Sequence, residues 1–304
     1  MINNLDLEKL DRREPDELAR LLHAIGEVGF LTVSNTGLDA SRCTSVIEAY
    51  RQFFHLPEAQ KARVDMAKTG ANRGWGASQS EQVDPSANPD FKEVFDCGYE
   101  LPAGNPYASK DLSVYAPNQW PEAPAGFQDT IQTYYTDASA VAMRVLRAIA
   151  VALGRDAASF DSAFETPMAL LRGNYYPQRP AWAGHQDFGI GAHTDYGCLT
   201  LLATDGTAGL EVQMPDGKWE PAEARPGTFI INFGEMLEFW TDGRVKATLH
   251  RVVGGSEERI SVPLFFNPSY DTNVAPPNSD KVIRAGEHLT TRFNETYVHL
   301  KEAS

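Results

Sequence analysis

The segment Ala192-His193-Thr194-Asp195-Tyr196-Gly197-Cys198-Leu199-Thr200-Leu201-Leu202 decides how the second half of this 304-residue chain is read. From Gly197 to Ala203 it is a short apolar run opened by a glycine, the pattern of a buried strand. Residues two apart on extended backbone project to the same side. His193 and Asp195 can then grip one ion while Thr194 points away. The same short-strand grammar recurs around it, in LLRGNYY (170–176), LEVQM (210–214), KWEPA (218–222), TFIINF (228–233), KATLHRVV (246–253) and RISVPLFF (259–266). Pro215-Asp216-Gly217 joins two of these runs as a turn, proline presetting one dihedral and glycine permitting another. Short strands at this spacing predict a sandwich or jelly roll and not an alternating Rossmann unit.

Upstream the periodicity is helical. Residues 15–28 place Leu18, Leu21, Leu22 and Ile25 on one stripe, with Asp16 in the first turn, where a negative charge suits the dipole. Gly29 ends that helix, FLTVS (30–34) reads as a strand, and a second helix is expected over about 40–54. Residues 66–124 carry little periodicity and read as long loops with a short ordered piece at 93–98. A scaffold helix follows over about 125–153, its apolar positions stepping by three and four from Phe127 to Ala152. A closing helix is expected over roughly 287–300. The fold class expected is mainly β with a helical flank: a jelly-roll core buttressed by N-terminal helices and one long helix. We read 1–304 as one domain, with 1–164 mostly helical or loop, 165–285 the core that carries the metal site, and 286–304 the C-terminal helix.

Composition limits the function. Hydrophobic residues make up 42% and charged residues 22%, an ordinary globular mixture. The formal charge of −14 argues against nucleic acid and anionic membranes as partners, which need a basic footprint. The small-molecule class remains. Cys43, Cys97 and Cys198 match neither a disulfide framework nor a zinc site. Residues 1–18 lack the apolar core of a signal peptide, and no run reaches the length of a membrane span. These features predict a cytoplasmic protein and leave its oligomeric state open.

Two His-x-Asp triplets occur, His185-Gln186-Asp187 and His193-Thr194-Asp195. With 7 histidines and 41 acidic residues, about one His-x-acid triplet arises by chance. Context separates the two, because the first lies in a glycine-flanked loop suited to a rim and the second runs into a strand. A third ligand is expected from His250, in another β-branched run. Two histidines and one carboxylate on a β core give the facial triad of non-haem Fe(II) oxygenases, although zinc is not excluded. Arg259 and Ser261 share a face of the last core strand, and a guanidinium beside a hydroxyl can make a carboxylate receptor, although taken alone this pair reads more simply as a surface arginine and a strand serine.

Together these segments resemble the isopenicillin N synthase-like family of Fe(II)/2-oxoglutarate-dependent oxygenases. The resemblance spans most of the chain: Gly29-Phe30 through Asn35-Thr36-Gly37, Asn118-Gln-Trp-Pro121, the 192–202 block, Gly209-Leu-Glu-Val-Gln213, Asn232-Phe-Gly-Glu-Met-Leu237, His250-Arg-Val252 and Arg259-Ile-Ser-Val-Pro-Leu-Phe265. Thr36 stands where the family usually has histidine. The resemblance implies a distorted double-stranded β-helix, with His193, Asp195 and His250 as iron ligands. It implies Arg259 and Ser261 on the distal carboxylate of 2-oxoglutarate, and Asn174 and Tyr176 assisting the cosubstrate. O2 is then the oxidant, hydroxylation of a small polar molecule the usual outcome, and ascorbate an accessory reductant in some relatives.

For the substrate, the candidates are Arg73 and Trp75 in a glycine-flanked loop, Phe91 and Asp96 in a segment the family places near the mouth, and Arg172, two residues from Asn174. His185, Asp187 and Phe188 are candidates for a lid, and Phe266 for a wall. Each has an ordinary structural role as its alternative. The competing functions are an iron oxidase of the same fold driven by its substrate or by ascorbate, fragmentation of 2-oxoglutarate itself as in ethylene formation, a jelly-roll metal hydrolase or isomerase, and a non-catalytic binding module. Cosubstrate dependence, product analysis and anaerobic activity separate them.

Overall fold

The computed structural model describes residues 2–69, 72–84, 86–181, 183–184 and 187–296. The strands are β1 (Asn3–Asp6), β2 (Phe30–Ser34), β3 (Gly74–Gly76), β4 (Glu93–Gly98), β5 (Leu170–Tyr176), β6 (Ile190–His193), β7 (Leu199–Thr204), β8 (Leu210–Gln213), β9 (Trp219–Pro221), β10 (Phe229–Phe233), β11 (His250–Val252) and β12 (Arg259–Phe266). Among the described residues they form an eight-stranded sheet, β1-β2-β10-β7-β12-β5-β4-β3, and a four-stranded sheet, β6-β11-β8-β9. Only β1 and β2 pair in parallel; the other neighbours are antiparallel. This is the mainly β, helix-flanked jelly roll expected from the sequence.

The central strands are mostly apolar because they are buried on both sides. Their parity divides the work. Leu199, Leu201 and Ala203 of β7, Phe229, Ile231 and Phe233 of β10, and Ile260, Val262 and Leu264 of β12 join the core under the helices. Leu202 and Ile230 face the other way and join Leu210, Val212 and Val252 of the small sheet.

The helices are α1 (Leu7–Asp11), α2 (Pro15–Glu27), α3 (Ala40–Phe54), α4 (Glu58–Lys61), α5 (Met66–Thr69), α6 (Phe127–Ala152), α7 (Glu235–Trp240) and α8 (Ala285–Thr296). Proline at N1 and two acidic residues in the first turn start α2. Asp39 caps α3 by accepting from the Arg42 amide at 2.9 Å. The stripe Ile131, Tyr134, Ala138, Val141, Val145 and Ile149 of α6 is buried against its neighbours, each large aliphatic contributing roughly 1.5–3 kcal/mol. Among the described residues, no helix is long and apolar enough to cross a membrane.

Three local expectations change. Residues 246–249 are not strand, because the Lys246 amide donates to Ile25 O at 2.9 Å and Thr248 Oγ1 to Val28 O at 2.7 Å, tying them to the end of α2. His193 does not run directly into β7; it ends β6, and Asp195 sits in the connection between the two strands. The closing helix begins at Ala285 and is described to Thr296, so the remainder of the expected 287–300 span lies outside the described residues.

Candidate active site

His193 closes β6 and His250 opens β11, and the two stand opposite each other in the antiparallel register. Their ring centroids are 4.3 Å apart. Asp195 reaches them from the β6–β7 connection, which the start of α7 holds. The Glu235 amide donates to Asp195 O at 2.9 Å. A Cβ on Gly234 would sit 2.5 Å from the carbonyl oxygens of Asp195 and Gly197, so this approach requires glycine. Thr200 and Asn232, register partners across β7 and β10, both donate to Oδ2 of Asp195: the Asn232 amide at 2.6 Å and the Thr200 hydroxyl. Oδ1 is thereby left toward the histidines, 3.8 Å from His193 Nε2 and 3.6 Å from His250 Nε2.

The donor set suits a metal. Both Nδ1 atoms meet backbone carbonyls, Gly191 O at 2.8 Å and Thr248 O at 3.0 Å. A carbonyl only accepts, so Nδ1 carries the proton and Nε2 offers its lone pair. The three ligand atoms lie within 4.8 Å of one another. Burial, aided by His250, pushes His193 down to about 4 and keeps it neutral. Burial also opposes charge on His250, but the contact with Asp195 raises it overall. Despite burial, the imidazoles and Thr200 hold the Asp195 carboxyl well below the usual carboxylate range.

A second constellation lies on facing positions of β5 and β12, where Arg259 pairs with Tyr176 and Ser261 with Asn174. Arg259 is 4% exposed, its guanidinium 5.0 Å over the Tyr176 ring and its Nε donating to Thr207 O at 3.2 Å. Its Nη1 and the Asn174 Oδ1 are buried with no hydrogen-bond partner among the described residues. A buried cation with an unused donor fits an incoming carboxylate.

A cavity of about 100 Å³ is lined by His193, Asp195 and Asn174 together with Arg73, Glu81, Lys92 and Arg172. Phe265 and, from α8, Leu289 and Phe293 supply apolar wall. Arg172 makes a bidentate pair with Asp96, at 2.7 and 2.6 Å, and donates to Glu81 at 3.0 Å. Lys92 donates to Glu81 at 2.6 Å and to Asp90 at 3.1 Å. Burial alone would raise Glu81, but Arg172 and Lys92 hold it down to about 2.

The substrate candidates divide. Arg73 and Arg172 line this cavity, and Asp96 stands behind Arg172, fully buried. Trp75 is packed in the core and donates from Nε1 to Glu93 at 2.7 Å. Phe91, Asp187 and Phe188 line a separate small cleft beside Pro177 and Arg179. There the Phe91 amide donates to Phe188 O at 2.9 Å, and Asp187 accepts from Asn88 at 2.7 Å. Phe266 is core, its ring stacked 4.8 Å from Phe164. His185 lies outside the described residues. Sequence reasoning did not single out Glu81, Lys92, Phe265, Thr200 or Asn232. Parity carried the signal for two of them: Val94 and Asp96 pair with Asn174 and Arg172, so even positions leading into β4 face the cavity, and Phe265 shares its face with Arg259 and Ser261.

Comparison with known proteins agrees with this geometry. Residues 2–123 match the family described as non-haem dioxygenase in morphine synthesis N-terminal, and residues 167–268 match the 2OG-Fe(II) oxygenase superfamily. A homoarginine-6-hydroxylase of Glycine max is 32% identical over 294 residues, covering 91% of this chain and 88% of the relative. The crystal structure of a full-length Neurospora crassa protein in complex with alpha-KG and thymine is 28% identical with a TM-score of 0.84, covering 100% of this chain and 97% of that one. A complex of JOX2 with 2OG, Fe and JA is 27% identical with a TM-score of 0.80, covering 99% and 88%.

Proposed function

The chain belongs to the 2OG-Fe(II) oxygenase superfamily and is an enzyme of the Fe(II)- and 2-oxoglutarate-dependent kind; we propose that it hydroxylates an unactivated C–H bond of a small polar molecule, releasing succinate and CO2. The observation that carries this reading is the buried Arg259 Nη1, which lacks a protein partner among the described residues on the strand face shared with Ser261.

His193, Asp195 and His250 would hold the iron. When bound, iron and 2-oxoglutarate supply the activation of O2 that a C–H oxidation needs. The protein's share is binding, orientation and exclusion of competing oxidation. Arg259 and Ser261 would receive the distal carboxylate of the cosubstrate, with Asn174 and Tyr176 on the neighbouring strand fixing its path. The Thr200 and Asn232 donors keep Asp195 ionised and aimed by one oxygen. The apolar wall from Phe265, Leu289 and Phe293 keeps bulk water from the reacting face, and the charged cluster that includes Arg73 and Arg172 forms the polar end of the pocket. Hydroxylation is favoured over other outcomes by the relative from Glycine max, which is named a hydroxylase. The complexes with thymine and JA support a small molecule as substrate.

The test is an anaerobic titration of metal-free protein with Fe(II) and then 2-oxoglutarate, followed by visible absorbance. A charge-transfer band that Arg259→Met abolishes at the same cosubstrate concentration supports the reading. Iron binding without a band sinks it in favour of an oxidase.

A further inference from the structure

We infer that Arg73, Glu81, Lys92 and Arg172 form a receptor for a substrate that carries no net charge and presents a hydrogen-bond donor beside an acceptor on an otherwise apolar body. The inference rests on the oxygenase function proposed above and names its substrate class. These four side chains line the cavity that also contains His193 and Asp195. Asp90 and Asp96 stand directly behind them, bonded to Lys92 and Arg172. The six groups are 0–7% exposed and carry three formal charges of each sign. The cluster is thus already neutral. An added carboxylate or ammonium would enter a buried site that holds no surplus counter-charge, and its lost hydration would go uncompensated.

The receptor nevertheless has unused polar capacity of both kinds. An ammonium has three donors, and Lys92 gives one to Glu81 Oε2 at 2.6 Å and one to Asp90 at 3.1 Å. The other Glu81 oxygen, Oε1, makes no hydrogen bond among the described residues, although it lies 2.9 Å from Arg172 Nη2 as an ion pair. One N–H donor and one carboxylate acceptor therefore stand side by side. A ligand with a carbonyl or carboxylate oxygen next to an N–H meets both without adding net charge. Val83, Leu170, Ile190, Phe265, Leu289 and Phe293 supply apolar wall, with neutral polar groups of Thr194, Tyr196, Asn267 and Thr296 between them. Two sources share this chemistry, a neutral cyclic amide and a zwitterionic amino acid.

Four probes of one ring size separate the possibilities: piperidin-2-one, pipecolic acid, cyclohexanecarboxylate and piperidine. Each is titrated anaerobically into the enzyme loaded with Fe(II) and 2-oxoglutarate, reading the perturbation of the charge-transfer band. At least one of the two net-neutral probes should bind roughly tenfold or more tightly than both probes with a net charge, and the tighter of the pair identifies the source. Lys92→Met leaves the cluster one charge negative and should move preference toward piperidine, whereas Glu81→Gln should move it toward cyclohexanecarboxylate. The inference is overturned if either probe with a net charge matches the better net-neutral one in the parent enzyme, or if none of the four perturbs an intact band. A missing band before any probe is added refutes the oxygenase reading itself, and this inference with it.

Discussion

Replacing Asn232 with leucine keeps the branched heavy-atom shape, with bulkier methyl groups, and deletes the amide that donates to Asp195 Oδ2 at 2.6 Å. Asn232 is 2% exposed and Asp195 8%, so bulk water is a poor substitute donor. A hydrogen bond to a charged group contributes roughly 1.5–3 kcal/mol, which is about 10- to 100-fold in an equilibrium constant. Because the lost bond supports the ionised carboxylate that would ligate iron, it should weaken Fe(II) affinity by that factor. The same range is typical when an outer partner of a metal ligand is lost. Thr200 still holds the same oxygen, so Asn232→Leu should fall near the low end and Asn232→Leu/Thr200→Val should exceed it. Thr200→Ser, which keeps the hydroxyl, should restore most of the affinity. The acid sensitivity has a definite sign. Asp195 is held below its ordinary value, so its contribution to stability is present above the unfolded pKa near ~3.9 and lost as pH falls through the folded value. The variant should lose that contribution at a higher pH than the parent. Anaerobic equilibrium dialysis against Fe(II) measures the first effect and acid unfolding followed by circular dichroism the second. Unchanged iron affinity in a folded Asn232→Leu protein would refute the reasoning.

Arg259→Met should raise the 2-oxoglutarate concentration for half-saturation by roughly two to four orders of magnitude, since a buried carboxylate left without its partner costs about 3–5 kcal/mol, and iron affinity should stay unchanged; an unaltered cosubstrate requirement rejects the role. Phe266→Ala should cost about 3–5 kcal/mol of stability in urea unfolding, whereas Phe265→Ala should chiefly alter substrate-dependent succinate release. The opposite pattern would reverse the assigned faces. Gly173→Ala places a Cβ 2.2 Å from the Tyr50 ring, and overpacking of this kind should lower stability by roughly 1–3 kcal/mol. Calorimetry that finds the variant as stable as the parent would show that α3 can move away. In metal-free protein His193 is held down to about 4 from 6.5, so the unfolded chain binds more protons between those values and stability should rise with pH across that window. His193→Gln should flatten the rise, and an unchanged slope would place the titration elsewhere.

The strands that are legible in the sequence are those whose side chains are buried on both faces. β5, β7, β10 and β12 read as strands because apolar and aromatic residues dominate them around a few polar positions, one face packing under α3 and α6 and the other facing the small sheet and the site. β6 escapes because Ile190-Gly-Ala-His193 is short, half-exposed and irregular in its pairing with β11. Thr200 and Asn232 escape for another reason. Each sits inside an apolar run, where a polar residue reads as a tolerated exception until the partner that it bonds is known. Phe91, Asp187 and Phe188 fall outside the cavity because nearness in sequence to β4 and to His193 is not nearness in space. β4 begins only at Glu93, and Phe91 lies before it and bonds outward to Phe188.

Strand parity connects these outcomes. On β5 the odd residues Leu171, Gly173 and Tyr175 meet the helical layer, through Tyr50 and Phe54 among others, while the even residues Arg172, Asn174 and Tyr176 face inward. On β12 the assignment is inverted: Ile260, Val262 and Leu264 pack under the helices, and Arg259, Ser261 and Phe265 face inward. Because the two strands are antiparallel neighbours, the inward sets align as Arg259 with Tyr176 and Ser261 with Asn174. Moving down β5 by two residues, or about 7 Å, leads from the Ser261 partner to Arg172 and the neutral ion cluster. A slip of one residue in this pairing would send Arg259 and Ser261 into the aromatic core and bring Ile260 into the cavity. The register that buries the apolar residues is therefore the one that assembles the polar site, and folding selects both at once.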